Sequence, residues 1–217
     1  MARKTKEDTD QTHATLLEAA AQLFFDKGVA RTTLNDIAVA AGMTRGAIYW
    51  HFRDKADLLQ ALFSQAMLPM EAMLAELTVC TQVDPLGALR HMCVHSFKTL
   101  AESPQQQRIF GIMFHKFENT GEVAAVVERE LECRDEYMGR FQNILQQAVN
   151  QGQLPADTDV FLSLQIIHNF MMGTMSEWLL VPDSYPLATV APAMVDMLLA
   201  GLRVNPPRLN GNVTSPR

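Results

Sequence analysis

The stretch MTRGAIYWHF at positions 43–52 gathers a Thr, an Arg, a Gly, a Tyr, a Trp and a His around a single branched aliphatic residue, Ile48. Such a set suits recognition of acceptor-rich surfaces. Tyr49 and His51 can donate to phosphate oxygens, and Trp50 can pack against sugar–phosphate. Thr44, Arg45 and Gly46 stand where base edges of a duplex are reached, the Gly letting backbone approach closely. Nowhere do the residues assemble a nucleophile with its base, a Gly-rich phosphate loop or paired catalytic carboxylates. No enzyme and no cofactor is expected. His91 and His95 have the four-residue spacing of a metal pair, but no Glu lies between them as HExxH requires and no third ligand is evident. No metal site is expected.

The elements that must hold this stretch are all helical, and no strand-like alternation or internal repeat is present. Leu16, Leu17, Ala20, Leu23 and Phe24 form one helical face, closed by Gly28. In TTLNDIAVAAG, Thr33 and Asp36 make a capping box that opens a second helix, stopped by Gly42. Thr44 caps a third of barely two turns, reaching Phe52. Three short helices with a Gly turn between the second and third describe a helix-turn-helix, whose last helix lies in the major groove. That helix buries only Ile48 and Phe52, leaving its other side free. Lys55, at the next helix start, combines its charge with the helix dipole as a phosphate grip. Thr33 can act likewise.

Asp54 caps a longer helix running to about residue 80, with a kink or break expected at Pro69. Asp84-Pro85 and Ser103-Pro104 open further helices. Thr120-Gly121-Glu122 starts a long one that GQLP (152–155) ends, and two more cover about 159–180 and 187–204. The reading is an all-α chain. Residues 1–55 form a helix-turn-helix domain, 56–204 a helical ligand-binding and dimerisation domain, and 205–217 a disordered tail.

Net charge is −6, which by itself argues against a nucleic-acid partner. Its distribution does not: residues 1–55 hold eight Lys/Arg against seven Asp/Glu, so the acidity lies beyond them. No apolar run approaches the roughly 18–20 residues that span a bilayer. The start, MARKTKEDTD, has no secretory pattern. Cys80, Cys93 and Cys133 have no metal-like spacing and read as free thiols in a reducing cytoplasm. A cytoplasmic protein with no membrane partner is expected.

TLNDIAVAAGMTRGAIYWHFRDKADLLQAL strongly resembles the DNA-binding segment of the TetR (tetracycline-repressor) family. With MARKTKE at the start and FHKFE at 114–118, it looks like the branch that represses multidrug-efflux pump genes. The C-terminal likeness rests on DPLGALR (84–90), FHK, GQLP and EWLLVPDS (177–184). Phe117 departs from the Cys often found there. The resemblance implies a repressor that binds a palindromic double-stranded DNA operator as a homodimer and is released by hydrophobic aromatic small molecules. Its recognition helices would stand about 34 Å apart. A regulator of the same fold that senses a metabolite, or that activates, fits the residues too.

Eleven of the thirteen Met fall in residues 56–204, clustered at Met67, Met70, Met73 and at Met171, Met172, Met175. Read alone, Met and Phe at helical spacing mean core packing. The resemblance implies instead a hydrophobic drug cavity walled by Met67, Met70, Ser96, Phe110, Phe114, Tyr137, Phe141, His168, Met172 and Ser176. Flat apolar ligands are expected, bound by burial and by a hydrogen bond from Tyr137 or His168. Ligand would displace the helix beginning at Lys55 and so change the separation of the recognition helices.

Overall fold

A computed structural model describes residues 6–76, 82–116 and 124–208. Among them the helices run, in chain order, α1 Lys6–Lys27, α2 Leu34–Ala40, α3 Arg45–His51, α4 Lys55–Glu76, α5 Pro85–Glu102 and α6 Pro104–Gly111. A π-helical turn, Ile112–Lys116, follows α6 directly. Then come α7 Ala124–Asn150, α8 Val160–Leu180, a 3₁₀ turn at Pro182–Ser184, and α9 Leu187–Val204. The expected start at Thr120-Gly121-Glu122, and Phe117, lie outside the described residues.

Two compact units are formed. The first comprises residues 1–68 and 104–132, the second 69–103 and 133–217. In the first, α1 buries Leu16, Leu17, Ala20 and Phe24 against Ile37 of α2, Ile48 of α3 and Leu58, Leu59 and Leu62 of α4. Gly28 (φ +85°) and Gly42 (φ +68°) end α1 and α2 in the left-handed region, where a Cβ would clash with its own backbone. The expected capping box is present: Asp36 N donates to Thr33 Oγ1 (3.2 Å) while Thr33 N donates to Asp36 Oδ2 (2.9 Å).

The packing departs from the expected boundary after residue 55. The first half of α4 belongs to the head core, and so do Ile109 of α6 and Ile112 of the π turn, both fully buried in it. Three short helices leave one side of α1 uncovered, and α6 closes it.

Pro69 neither breaks α4 nor ends it. It removes one N–H from the ladder.

In the second unit, α9 packs on α5 and α8, and α5 on α8. Met92, Phe97 and Leu100 of α5, Met171 and Met175 of α8, and Val195 and Leu199 of α9 are buried. Met171 and Met175 of the clustered Met are therefore plain core, as helical spacing alone reads. The two C-terminal anchors of the resemblance meet: Gln153 of GQLP accepts from Leu86 N (3.0 Å) and donates to Asp84 (2.9 Å), the N-cap of α5. Trp178 Nε1 donates to Tyr185 O (3.1 Å), closing the EWLLVPDS turn.

The expected disordered tail begins too early at 205. Asp159 N donates to Pro207 O (2.8 Å), Arg208 pairs with Asp157, and Pro206 is buried. Residues 209–217 lie outside the described residues. Two helical stretches, Lys55–Ala75 and Leu187–Val204, are long and apolar enough to cross a membrane by length and composition, contrary to the expectation of none. Each lays a buried stripe into the cores just described, as core helices do.

Candidate functional site

The recognition stretch is built as its residue types require. Thr44 caps α3, its Oγ1 accepting from Ala47 N (3.3 Å), and Ile48 plants the helix in the head core with no exposure at all. Tyr49 and Trp50 then stand out at 48% and 70% exposure. Large aromatics left in water at this level cost hydrophobic stabilisation, and two in succession suit a contact surface.

Arg45 and Tyr49 are one turn apart, and the Arg45 guanidinium lies 5.6 Å from the Tyr49 ring centroid. The ring thereby steadies a fork of donors at the N-terminal end of α3. Gly46 is helical, and a Cβ there would meet nothing nearer than Thr44 Oγ1 at 4.0 Å. The chain's own packing does not demand glycine, which fits close approach from outside. His51 is half-buried, edge-on to Trp50 (4.7 Å) and 5.8 Å from His13 of α1; His13 also packs on Phe52 (4.8 Å). Sequence reasoning missed His13. Its signal was faint: an imidazole one turn before the apolar face of α1.

Two residues expected at phosphate also have structural duties. Lys55 Nζ donates to Val29 O (3.2 Å) and Thr32 O (3.5 Å), tying the α1–α2 turn to the start of α4. The Thr33 hydroxyl donates to Asp36 Oδ2 (2.7 Å), which leaves no free proton for a phosphate. That Asp36 carboxyl is held below the usual carboxylate range, first by this hydroxyl. At the head of α4, Asp54 caps Asp57 N (2.8 Å). The Asp57 carboxyl is lowered chiefly by the Arg53 backbone N–H it accepts.

The ten expected cavity residues share one property. Met67, Met70, Ser96, Phe110, Phe114, Tyr137, Phe141, His168, Met172 and Ser176 are all half-buried, neither sealed in a core nor open to water. Phe110 and Phe114 stack at 5.8 Å on α6 and the π turn, in the first unit with Met67. The others lie in the second. There Tyr137 donates to Glu71 Oε1 (2.6 Å), with the Arg140 guanidinium 5.9 Å from its ring. The Tyr137 hydroxyl proton is thus committed to a carboxylate, where a donor was expected. Glu71, the one charge between Asp57 and Glu76 of α4, was the legible but unused signal. Ser96 donates to Met92 O (2.9 Å). Burial, and then the Arg134 charge, push the His168 imidazole below its ordinary value, so it is neutral at pH 7.

His91 and His95 stack at 6.3 Å on the exposed side of α5, and among the described residues no third donor joins them. Cys93 is buried, its thiol pushed up to about 12 by burial. The side chains of Cys80 and Cys133 lie outside the described residues.

Two family profiles match this chain: the bacterial regulatory proteins of the tetR family over residues 16–62, and the C-terminal region of MAATS-type transcriptional repressors over residues 84–204. The chain belongs to the TetR family. It is a helix-turn-helix transcriptional regulator. The regulator TtgR of Pseudomonas putida is 38% identical over 207 residues, 95% of this chain and 98% of that one. AcrR of Shigella flexneri is 36% identical, covering 92% and 93%. Among solved structures, NalD, the secondary repressor of the MexAB-OprM multidrug efflux pump in Pseudomonas aeruginosa, superposes with a TM-score of 0.78 at 30% identity, covering 92% and 100%. A SmeT–triclosan complex gives 0.77 at 28%, covering 95% and 99%.

Proposed function

We propose that this regulator is a repressor of a multidrug-efflux operon, released from its operator by flat aromatic molecules. The observation that carries the reading is the uniform half-burial of the ten expected cavity residues, in a chain whose relatives include named efflux repressors and a triclosan complex. Core residues would be sealed, as Met73, Met92, Phe97, Met171 and Met175 are. Base reading falls to Thr44, Arg45 and Gly46, and backbone contact to Tyr49, Trp50 and His51. Affinity for ligand comes mainly from apolar burial, at roughly 25 cal/mol per Å², with the Glu71–Tyr137 pair accepting one hydrogen bond.

The operating species is a homodimer. Ala193, Met197, Ala200 and Val204 form an exposed stripe on α9, opposite its buried face, and Leu162 and Ile166 do so on α8. A four-helix interface from these two helices suits them. The test is a binding selection on fragments of the source genome at fixed salt, with and without triclosan and a panel of other flat aromatic compounds. Enrichment of one short palindrome, abolished by a compound of the panel, supports the reading. Enrichment that no compound disturbs overturns the ligand assignment and favours a metabolite sensor of the same fold.

A further inference from the structure

The head core holds residues far away in the chain. Ile109 and Ile112 are fully buried in it, and Phe110 and Met113 pack against it. Four side chains in five positions thus anchor α6 and the π turn to the DNA-binding head. Polar links reinforce them: Arg108 donates to Gln22 (3.3 Å) and pairs with Glu18 (3.8 Å), both on α1, and Gln106 donates to Ala66 O (3.4 Å) of α4.

The tightest point is Gly111. A Cβ built there would lie 2.7 Å from one ring carbon of Phe25 and 3.2 Å from another. The Phe25 ring of α1 is therefore seated directly on bare backbone, where α6 passes into the π turn. A π turn is rare, and such turns occur frequently at functional sites. Passing to α geometry would rotate it about the helix axis and drag whatever is seated at its start.

We propose that Gly111 is a positioning residue: with Phe25 it clamps the segment bearing Phe110 and Phe114 to α1, so that the π turn and the DNA-binding head move as one body. Release would then travel through α1 as well as α4. The consequence for induction rests on the reading that Phe110 and Phe114 face ligand; the clamp itself does not.

Linkage supplies a test that needs no ligand. If the segment and head are coupled, DNA on the head must change the segment's stability. Amide hydrogen exchange of residues 104–116 is followed in the full chain, with and without a random-sequence duplex at low salt. The duplex should slow exchange there by about fivefold or more, the low end of coupling between sites. In Phe25→Ala the duplex still binds but the slowing at 104–116 is reduced; Phe25→Leu replaces it if that variant does not fold.

Gly111→Ala gives a sign test. An interior helical Gly→Ala change ordinarily stabilises by up to about 1 kcal/mol. Here it should lower the melting temperature, and in a Phe25→Ala background it should raise it. Unchanged exchange at 104–116 on adding duplex, or a Gly111→Ala protein more stable than wild type, overturns the clamp. Triclosan, added afterwards, separates the two ideas: no response to it with exchange coupling intact removes that ligand and leaves the clamp standing.

Discussion

Arg45 sits over the Tyr49 ring at the N-terminal end of a helix fixed by Ile48. Its guanidinium is thus presented and not free to wander. Arg45→Ala should weaken operator binding by about 1–3 kcal/mol while leaving random-sequence binding nearly unchanged. Competition between the two duplexes measures this, and equal loss on both would mean a phosphate contact. Lys55 makes the opposite case. Its ammonium serves two carbonyls, so Lys55→Met should destabilise the protein by about 1–3 kcal/mol, read by denaturant unfolding. The salt slope of DNA binding should hold, whereas a fall of about 0.9 would restore the phosphate role. His168 has a pH signature. Its lowered value means that the unfolded chain takes up the proton first, so stability falls as pH drops below the ordinary value of 6.5. His168→Gln should flatten that fall in thermal melts between pH 7 and 5. The residue types at 43–52 were legible because their polarity had no local use. The duties of Lys55 and Thr33 were not, since a carbonyl acceptor contributed by a distant turn leaves no mark on the side chain it engages.

At the scale of elements, start and stop signals carried most of the fold. Thr33 with Asp36, Asp54, Asp84 and Asp159 all accept the helix N–H bonds their types allow, and Gly28, Gly42 and Gly152 all have positive φ. Caps are legible because donor and acceptor lie within four residues. Thr33→Ala removes the capping box and should cost about 0.5–2 kcal/mol. It should leave the specificity ratio for DNA intact, because its hydroxyl is engaged with Asp36. Titration calorimetry on operator and control duplexes separates this from a DNA-contacting role, which would change the ratio. What local pattern could not reveal is the allegiance of α6. Its apolar residues read equally well toward either unit, and only Ile109 and Ile112, buried beside Leu16 and Phe24, decide it. The break expected as one outcome at Pro69 does not occur, since one missing N–H leaves the rest of the ladder intact.

The molecule as a whole divides its labour by charge and by exposed apolar surface. Residues 1–55 escape the acidity of the rest, with eight Lys/Arg against seven Asp/Glu, while α8 and α9 carry apolar stripes their own unit does not cover. A single recognition helix of seven residues offers too few contacts for tight specific binding. Two held by one rigid interface gain the product of their affinities. Met197 is 71% exposed and Ile166 39%, so neither supports its own protomer's core strongly. The double change Ile166→Glu, Met197→Glu should therefore leave the fold intact by circular dichroism and yield monomers in sedimentation. Like charges facing each other across a two-fold axis would prevent association. Operator affinity should then drop by orders of magnitude, and non-specific binding by far less. The same geometry predicts that inserting about five base pairs, half a helical turn, between the operator half-sites abolishes wild-type binding, while about ten restore part of it. A monomer that still binds the intact palindrome tightly, or a dimer indifferent to half-site phase, would refute the two-headed arrangement. In that event the exposed stripes of α8 and α9 would need another partner.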